Sequence, residues 1–247
     1  MKTSIVGMGS IGKRHYDNLI KLGVSAKGSD IGKKPDFDVD FAVIATPTDT
    51  HLEIAKQFED YRVPVFVEKP VTMDLESAKF YESYDWFVPN MVACNLRFTD
   101  AVGKIKESFP DPDHIHATVM NNNDPKYGDL ILEDIHEFDY LSYLFGEPER
   151  IEILRHNDRL YDAAIYHKDG FFSTVHGNRN TIRYIRQVEF EHARYDIDVD
   201  NKMYVRQMNY FINCIKDGVV PMNGIKEASK LTRILLEAIN RHDNPSA

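Results

Sequence analysis

A lysine and a histidine of this 247-residue sequence occupy positions from which ionisable side chains could move a proton. Lys69 follows the apolar run Val65-Phe66-Val67, which predicts a buried parallel strand, and ligands bind at the carboxyl ends of such strands. His136 lies in a helical pattern, and an imidazole titrates near neutrality, as a proton acceptor should. An ammonium can stabilise developing negative charge and an imidazole can accept a proton, so the two side chains are candidates for general acid–base chemistry.

Three further polar residues of the predicted helix lie near His136 in the sequence. Glu133, three residues earlier, lies on the same helical face and can orient the imidazole. Asp134 is turned about a hundred degrees away and is less well placed. Tyr140, four residues later, can add a polar contact. The alternatives are a histidine satisfied within its helix and a glutamate solvated at the surface.

A glycine-rich turn stands at the start of the chain, between a strand pattern over Ser4-Ile5-Val6 and a helical pattern. Its residues are Gly7-Met8-Gly9-Ser10-Ile11-Gly12. In such a turn the glycines allow the sharp exit from the strand, the approach of a pyrophosphate, and close helix packing. Asp30 ends the next strand and would accept hydrogen bonds from ribose hydroxyls, which favours NAD over NADP. A turn cap is the alternative for Asp30, and Lys33 and Lys34 can blunt the preference.

The strand and helix patterns predict an α/β protein of two domains. Residues 1–94 form a Rossmann dinucleotide-binding domain, in which the short link after Asp30 leaves only a turn or loop in place of a crossover helix. Residues 95–247 form an α+β domain, to which the family resemblance given below assigns substrate binding and oligomerisation. It has an open, mostly antiparallel sheet, with a hairpin at Asp169-Gly170 and two helices at the end of the chain.

Four motifs in this order resemble the glucose–fructose oxidoreductase / inositol dehydrogenase (Gfo/Idh/MocA) family. They are the glycine turn, Ala45-Thr46-Pro47-x-x-x-His51, Val67-Glu68-Lys69-Pro70, and the stretch from Glu133-Asp134-Ile135-His136 to Leu141. Cys94-Asn95-Leu96-Arg97-Phe98 is similar to the segment that follows the family's last Rossmann strand. The branch most similar to this chain occurs among sugar and surface-polysaccharide enzymes.

The resemblance implies an NAD(P)-dependent oxidoreductase that moves a hydride between nicotinamide and a secondary alcohol or ketone of a sugar, nucleotide sugar or cyclitol. Lys69, His136 and Glu133 are the expected catalytic residues. The expected cofactor-binding residues are Gly7, Met8, Gly9, Ser10, Ile11, Gly12, Asp30, Ala45, Thr46, Pro47, His51, Glu68 and Lys69, and the expected substrate-binding residues are Lys69, Asn95, Arg97, Tyr127, His136 and Tyr140.

Two departures from the family's pattern support a second hypothesis. The chain is short, and Leu132 stands where the family usually has the catalytic aspartate, so that Glu133 becomes the substitute. A cofactor-binding protein with weak or no turnover, acting as a sensor or assembly partner, is therefore the alternative. Arg97 has two interpretations of its own: it pairs with a substrate carboxylate or phosphate, or it makes an internal ion pair between domains.

Composition excludes several classes of partner. A net charge of −9 disfavours nucleic acids and anionic membranes. Two cysteines are too few for a disulfide framework, and no signal peptide is evident, so we expect a cytoplasmic protein. His114-x-His116 lacks a third ligand at the usual spacing, and no metal site is predicted. We expect a homodimer or homotetramer formed through the C-terminal sheet.

Overall fold

The computed structural model describes residues 1–30, 32–108, 114–121, 123, 129–190 and 193–244. It divides into two compact units: Met1–Cys94 with Asn201–Lys230, and Asn95–Asp200 with Leu231–Ala247. Residues 201–230, which the sequence pattern assigned to the second domain, thus belong to the first unit. The functional roles assigned to the two domains remain predictions.

The two units are built from eleven strands and eight α-helices in the described parts of the chain. The strands are β1 (Lys2–Val6), β2 (Ser25–Ser29), β3 (Phe41–Ile44), β4 (Val65–Val67), β5 (Asn90–Val92), β6 (Ile115–Met120), β7 (Pro148–Asn157), β8 (Leu160–His167), β9 (Phe172–Asn178), β10 (Ile185–Phe190) and β11 (Ala193–Asp196). The helices are α1 (Ser10–Lys21), α2 (His51–Asp60), α3 (Leu75–Ser83), α4 (Asp100–Ser108), α5 (Leu130–Glu133), α6 (Ile135–Phe145), α7 (Asn201–Asp217) and α8 (Ile225–Asp243). Two 3-10 turns cover Thr48–Thr50 and Asn95–Phe98.

The first unit holds a five-stranded parallel sheet in the order β2-β1-β3-β4-β5. Strands β3 and β4 are buried along their whole length, as the continuous apolar runs predicted. Between Ser29 and Phe41 the described residues form no helix, so the predicted shortening of this crossover is confirmed. Because β1 and β3 are neighbours and β2 lies on the far side of β1, the glycine turn follows the strand at which the winding direction changes.

Aromatic packing explains why α7 belongs to the first unit. The ring of Phe211 on α7 lies 5.8 Å from that of Phe41 and 5.5 Å from that of Phe66, and all three side chains are fully buried. Burial of one such ring stabilises the fold by about 1.5–3 kcal/mol. α7 therefore closes one face of the parallel sheet, although it is distant in sequence.

The second unit holds a six-stranded sheet in the order β11-β10-β6-β9-β8-β7. The sheet is antiparallel except where β6 pairs with β9, so the predicted open, mostly antiparallel sheet is confirmed. The hairpin between β8 and β9 turns at Gly170, which has a φ of +88°. Such an angle suits glycine because it has no Cβ.

The predicted helix around His136 is interrupted. α5 ends at Glu133 and α6 starts at Ile135, while Asp134 between them has φ −93° and ψ 22°. The buried carboxylate of Asp134 forms an ion pair with Arg179, which follows β9. This ion pair fixes the junction between the two helices. Because Glu133 and His136 belong to different helices, the expectation that residues three apart share a helical face does not apply to them.

No helix in the described part of the chain has the length and apolar character needed to cross a bilayer.

Candidate functional site

The glycine turn follows β1 and leads directly into α1. Gly7 has a φ of +94°, and a Cβ there would lie 2.5 Å from the carbonyl oxygen of Ala45. A Cβ on Gly12 would overlap the carbonyl oxygen of Gly7. The turn and the first helix thus pack against β3 and against each other with no room for side chains at these two positions.

Gly9 differs from its two neighbours because it faces open space. A Cβ on Gly9 would meet no protein atom within 4 Å. Gly9 is also the N-cap of α1, whose first turn has neither a side-chain cap nor an acidic residue. The amide groups and the positive end of the helix dipole therefore face a region that suits an anion such as a pyrophosphate.

Asp30 lies beside this turn, where Oδ1 accepts a hydrogen bond from the backbone amide of Met8 at 3.3 Å. A cavity of about 660 Å³ opens next to the segment that follows Asp30, which is within the range of small-molecule sites. Phe37 and Tyr61 stack in its wall with ring centroids 4.1 Å apart. The cavity is lined by Val6, Gly32, Lys33, Lys34, Pro35, Phe37, Thr50, Glu53, Ile54, Gln57, Asp60 and Tyr61.

Lys69 is the second residue after β4, and its peptide bond to Pro70 is cis. The buried ring of His51 lies beside this segment: Nδ1 is 3.0 Å from the carbonyl oxygen of Pro70, and Nε2 is 2.9 Å from that of Thr46. Burial lowers the pKa of His51, while the two carbonyl contacts oppose that effect. His51 thus links the segment after β3 to the segment that carries Lys69, and its ring nitrogens are already engaged with backbone.

Glu68, one of the expected cofactor-binding residues, pairs with a histidine within the first unit. Its Oε1 lies 2.7 Å from Nε2 of His15, which is fully buried on α1. Phe66 and Tyr204 pack edge-on against the His15 ring. The sequence analysis missed this partner, although its signal was present: His15 lies one turn after Gly12, on the face of α1 that also carries the buried Leu19.

Three acidic residues around His136 are each held by an arginine of the second unit. Asp139 receives two hydrogen bonds from Arg97, from Nε and from Nη2, both of 2.7 Å. Glu137 lies 2.7 Å from Nε of Arg186. Asp134 is held by Arg179 as described above. Arg97 thus makes an internal ion pair, but its partner Asp139 lies in the same unit and not in the other domain, and a contact of Arg97 with substrate stays a prediction.

The remaining predicted residues of the second unit differ in their exposure. His136 is buried except for 8% of its surface, and Glu133 is half-buried. Tyr140 is completely buried and burial raises the pKa of its hydroxyl, so the predicted substrate contact would require this hydroxyl to become accessible. Asn95 is buried, and its Oδ1 forms no hydrogen bond with any residue that the structure describes. Tyr127 lies outside the described residues.

Comparison with known proteins finds similar sequences and similar folds. Residues 26–81 match the family model described as "Oxidoreductase family, NAD-binding Rossmann fold" (Gfo/Idh/MocA). An inositol 2-dehydrogenase from Mycolicibacterium gilvum is 36% identical over 139 residues, which are 51% of this chain and 39% of that protein. The matches thus extend over less than half the length of the curated relatives.

Solved structures show the same fold over nearly the whole chain. A probable dehydrogenase from Thermotoga maritima has a TM-score of 0.84 at 18% identity, covering 98% of this chain and 97% of its own. A UDP-N-acetylglucosamine 3-dehydrogenase from Acidithiobacillus ferrooxidans has a TM-score of 0.82 at 18% identity, covering 96% of both chains. The family model, the curated relatives and the shared fold together lead to one conclusion: residues 26–81 match the NAD-binding Rossmann region of the Gfo/Idh/MocA oxidoreductase family, and the chain as a whole is similar in fold to dehydrogenases.

Proposed function

We propose that the chain is an NAD-dependent dehydrogenase that transfers a hydride between nicotinamide and a secondary alcohol or ketone of a cyclitol, sugar or nucleotide sugar. The observation that carries the proposal is the arrangement at the carboxyl edge of the parallel sheet. The glycine turn after β1, Asp30 after β2 and Lys69 after β4 all lie at this edge. Ligands of open parallel sheets bind there.

The first unit supplies the groups that would hold the dinucleotide. The open space at Gly9 and the uncapped start of α1 suit the pyrophosphate. Asp30 would accept hydrogen bonds from the adenosine ribose and repel a 2′-phosphate. Lys33 and Lys34 line the adjoining cavity and would favour that phosphate. We expect the carboxylate to dominate because it is held against the glycine turn, so that NAD is preferred.

Lys69 is proposed to stabilise the substrate oxygen. NAD supplies the hydride acceptor when it is bound, and the chain must then stabilise the charge that develops as the hydroxyl loses its proton. Lys69 is the second residue after β4, and the carbonyl oxygen of the next residue, Pro70, lies 3.0 Å from Nδ1 of the His51 ring. This fixed backbone would position the ammonium, which is the condition for electrostatic stabilisation.

His136 is proposed to carry the hydroxyl proton, with Glu133 as its orienting partner. The acids closest to it in sequence, Asp134 and Glu137, are engaged with arginines and are therefore poor candidates for that partner. General acid–base catalysis of this kind contributes about 10²–10⁴-fold. The substrate class rests on the inositol 2-dehydrogenases and the nucleotide-sugar dehydrogenase to which this chain is similar.

The test separates cofactor binding from turnover. Full-length protein is titrated with NADH and NADPH by nicotinamide fluorescence, and oxidation of inositols and nucleotide sugars is then followed by NADH absorbance. We expect Lys69→Ala to bind NADH within about 3-fold of the wild type and to lose at least about 100-fold in kcat, the loss typical of one removed electrostatic contact. The control is Lys79→Ala, because Lys79 is a solvent-accessible lysine on α3 of the same unit. Near-normal turnover of Lys69→Ala would refute the assigned chemistry.

One observation favours a second candidate, a cofactor-binding protein without turnover. Leu132 is almost fully buried where the family usually has its catalytic aspartate. NADH binding with no turnover across the substrate panel would favour this candidate over the dehydrogenase.

A further inference from the structure

Two histidines and an aspartate come together in the second unit, and neither the sequence motifs nor the proposed function uses them. His156 is the penultimate residue of β7, while His242 and Asp243 end α8. Oδ1 of Asp243 lies 3.1 Å from Nδ1 of His242 and 3.9 Å from Nδ1 of His156. One potential ligand atom from each of the three residues lies within 4.8 Å of the others.

These separations suit ligands of one shared ion. Nitrogen and oxygen ligands at about 2.0–2.2 Å from a tetrahedral Zn²⁺ lie roughly 3.3–3.5 Å apart. The two measured distances fall on either side of that value. The 3.9 Å separation is too long for a direct hydrogen bond between His156 and Asp243. A small shift of the Asp243 side chain, which is half exposed, would equalise the distances.

His156 also has a carboxylate on its other side. Its Nε2 lies 3.5 Å from Oδ2 of Asp129. The other oxygen of Asp129 accepts hydrogen bonds from the backbone amides of Ile131 and Leu132 at the start of α5, which fixes the carboxylate in place. With a cation at Nδ1, the Nε2–H of His156 would face the carboxylate of Asp129.

We infer that His156, His242 and Asp243 form a binding site for Zn²⁺ or a chemically similar transition-metal ion, with Asp129 orienting His156 from outside the ligand set. Two imidazoles and a carboxylate suit Zn²⁺, whereas Mg²⁺ and Ca²⁺ prefer sites made of oxygen ligands. A carboxylate that holds the outer nitrogen of a ligating histidine is the usual companion of such sites. Water would complete the coordination.

The ion would link three segments of the second unit. His156 belongs to β7, the two other ligands belong to the end of α8, and Asp129 caps α5, which carries Glu133. In the described structure Arg241 makes the neighbouring contact between α8 and β7, a 3.3 Å hydrogen bond to the carbonyl oxygen of Ile151. Metal binding would therefore hold the end of the chain on the sheet, and the expected result is a higher melting temperature.

The test uses full-length, tag-free protein stripped of metal with a chelator. Co²⁺ is added while its visible absorption is recorded, and Zn²⁺ then displaces it. We expect saturable binding of a single ion, a rise in melting temperature on Zn²⁺ addition, and no displacement by Mg²⁺. His156→Ala and His242→Ala should each weaken Co²⁺ binding at least about 10-fold, because each removes one ligand.

Two further variants distinguish this site from adventitious binding. Asp129→Asn keeps a good helix cap but removes the outer carboxylate, so it should weaken binding by about 10-fold while the unliganded protein remains folded. His114→Ala removes an exposed histidine elsewhere in the same unit and should leave binding unchanged. Absence of saturable binding, or equal weakening by His114→Ala, would overturn the inference whether or not the protein proves to be a dehydrogenase.

Discussion

Replacement of Gly9 by alanine should separate folding of the first unit from binding of its cofactor. Gly9 has a φ of −69°, which alanine adopts without strain, and the added Cβ would meet no protein atom within 4 Å. Loss of the glycine N-cap lowers the free energy of unfolding by up to about 1 kcal/mol. Alanine also restricts the unfolded chain, which raises the free energy of unfolding by about 0.4–1 kcal/mol. The free energy of unfolding should therefore change by less than about 1 kcal/mol.

The same methyl group should interfere with the pyrophosphate. A charge-assisted hydrogen bond from the turn or from α1 contributes about 1.5–3 kcal/mol, so loss of one such contact should weaken NADH binding by about 10- to 100-fold. NADH fluorescence titration measures the Kd, and urea denaturation measures the stability of the same sample. Gly12→Ala should instead lose both NADH affinity and stability, because its Cβ would overlap the carbonyl oxygen of Gly7.

Gly103→Ala provides the matched control for this experiment. Gly103 lies in α4, where an added Cβ would also meet no atom within 4 Å. In a helix interior the change to alanine is favourable by about 1 kcal/mol, and NADH affinity should not change. If Gly9→Ala binds NADH as tightly as the wild type, the pyrophosphate does not lie at this turn and the assigned cofactor site is wrong.

Three further predictions concern buried groups that support the proposed site. Arg97→Met should lower the free energy of unfolding, measured by urea denaturation, by about 3–5 kcal/mol, because it leaves the charge of Asp139 buried without its partner. A decrease of less than about 1 kcal/mol would show that the pair is not buried in solution. His51→Ala should lower the free energy of unfolding by about 2–4 kcal/mol, because it removes hydrogen bonds and leaves a cavity. It should also lower kcat at least about 10-fold. An unchanged kcat would contradict this prediction. Burial lowers the pKa of His51, so the unfolded chain binds more protons than the folded chain. The free energy of unfolding should therefore fall as the pH drops through about 6.5. Denaturation of His51→Gln at several pH values should show that this part of the pH dependence has disappeared.

Local sequence patterns were sufficient to predict the elements that surround the proposed cofactor site. The runs Phe41–Ile44 and Val65–Val67 are continuously apolar because both faces of their strands are buried. The glycine spacing predicted where backbone approaches backbone, and the contacts at Gly7 and Gly12 have that cause. The short link before β3 predicted the absence of a crossover helix from chain length alone.

Features that depend on distant partners were beyond sequence reasoning. The sequence pattern around His136 is helical throughout, yet the helix is interrupted at Asp134. The carboxylate of Asp134 pairs with Arg179, which follows β9 and is 45 residues away in the sequence. The same limit applies to the pair of His15 with Glu68, which are 53 residues apart. The assignment of α7 to the second domain has a related cause. The burial of Phe211 depends on contacts with Phe41 and Phe66, which come together only in the folded sheet.

A double-mutant cycle of Lys69→Ala and His136→Ala, with kcat and NADH affinity measured for each variant, tests the central claim most directly. Groups that serve one chemical step are strongly non-additive, so we expect each single variant to lose at least about 100-fold in kcat and the double variant to lose little more. NADH should bind all of them within about 3-fold of the wild type. Simple multiplication of the two losses, or activity that survives either substitution, would contradict a shared catalytic role.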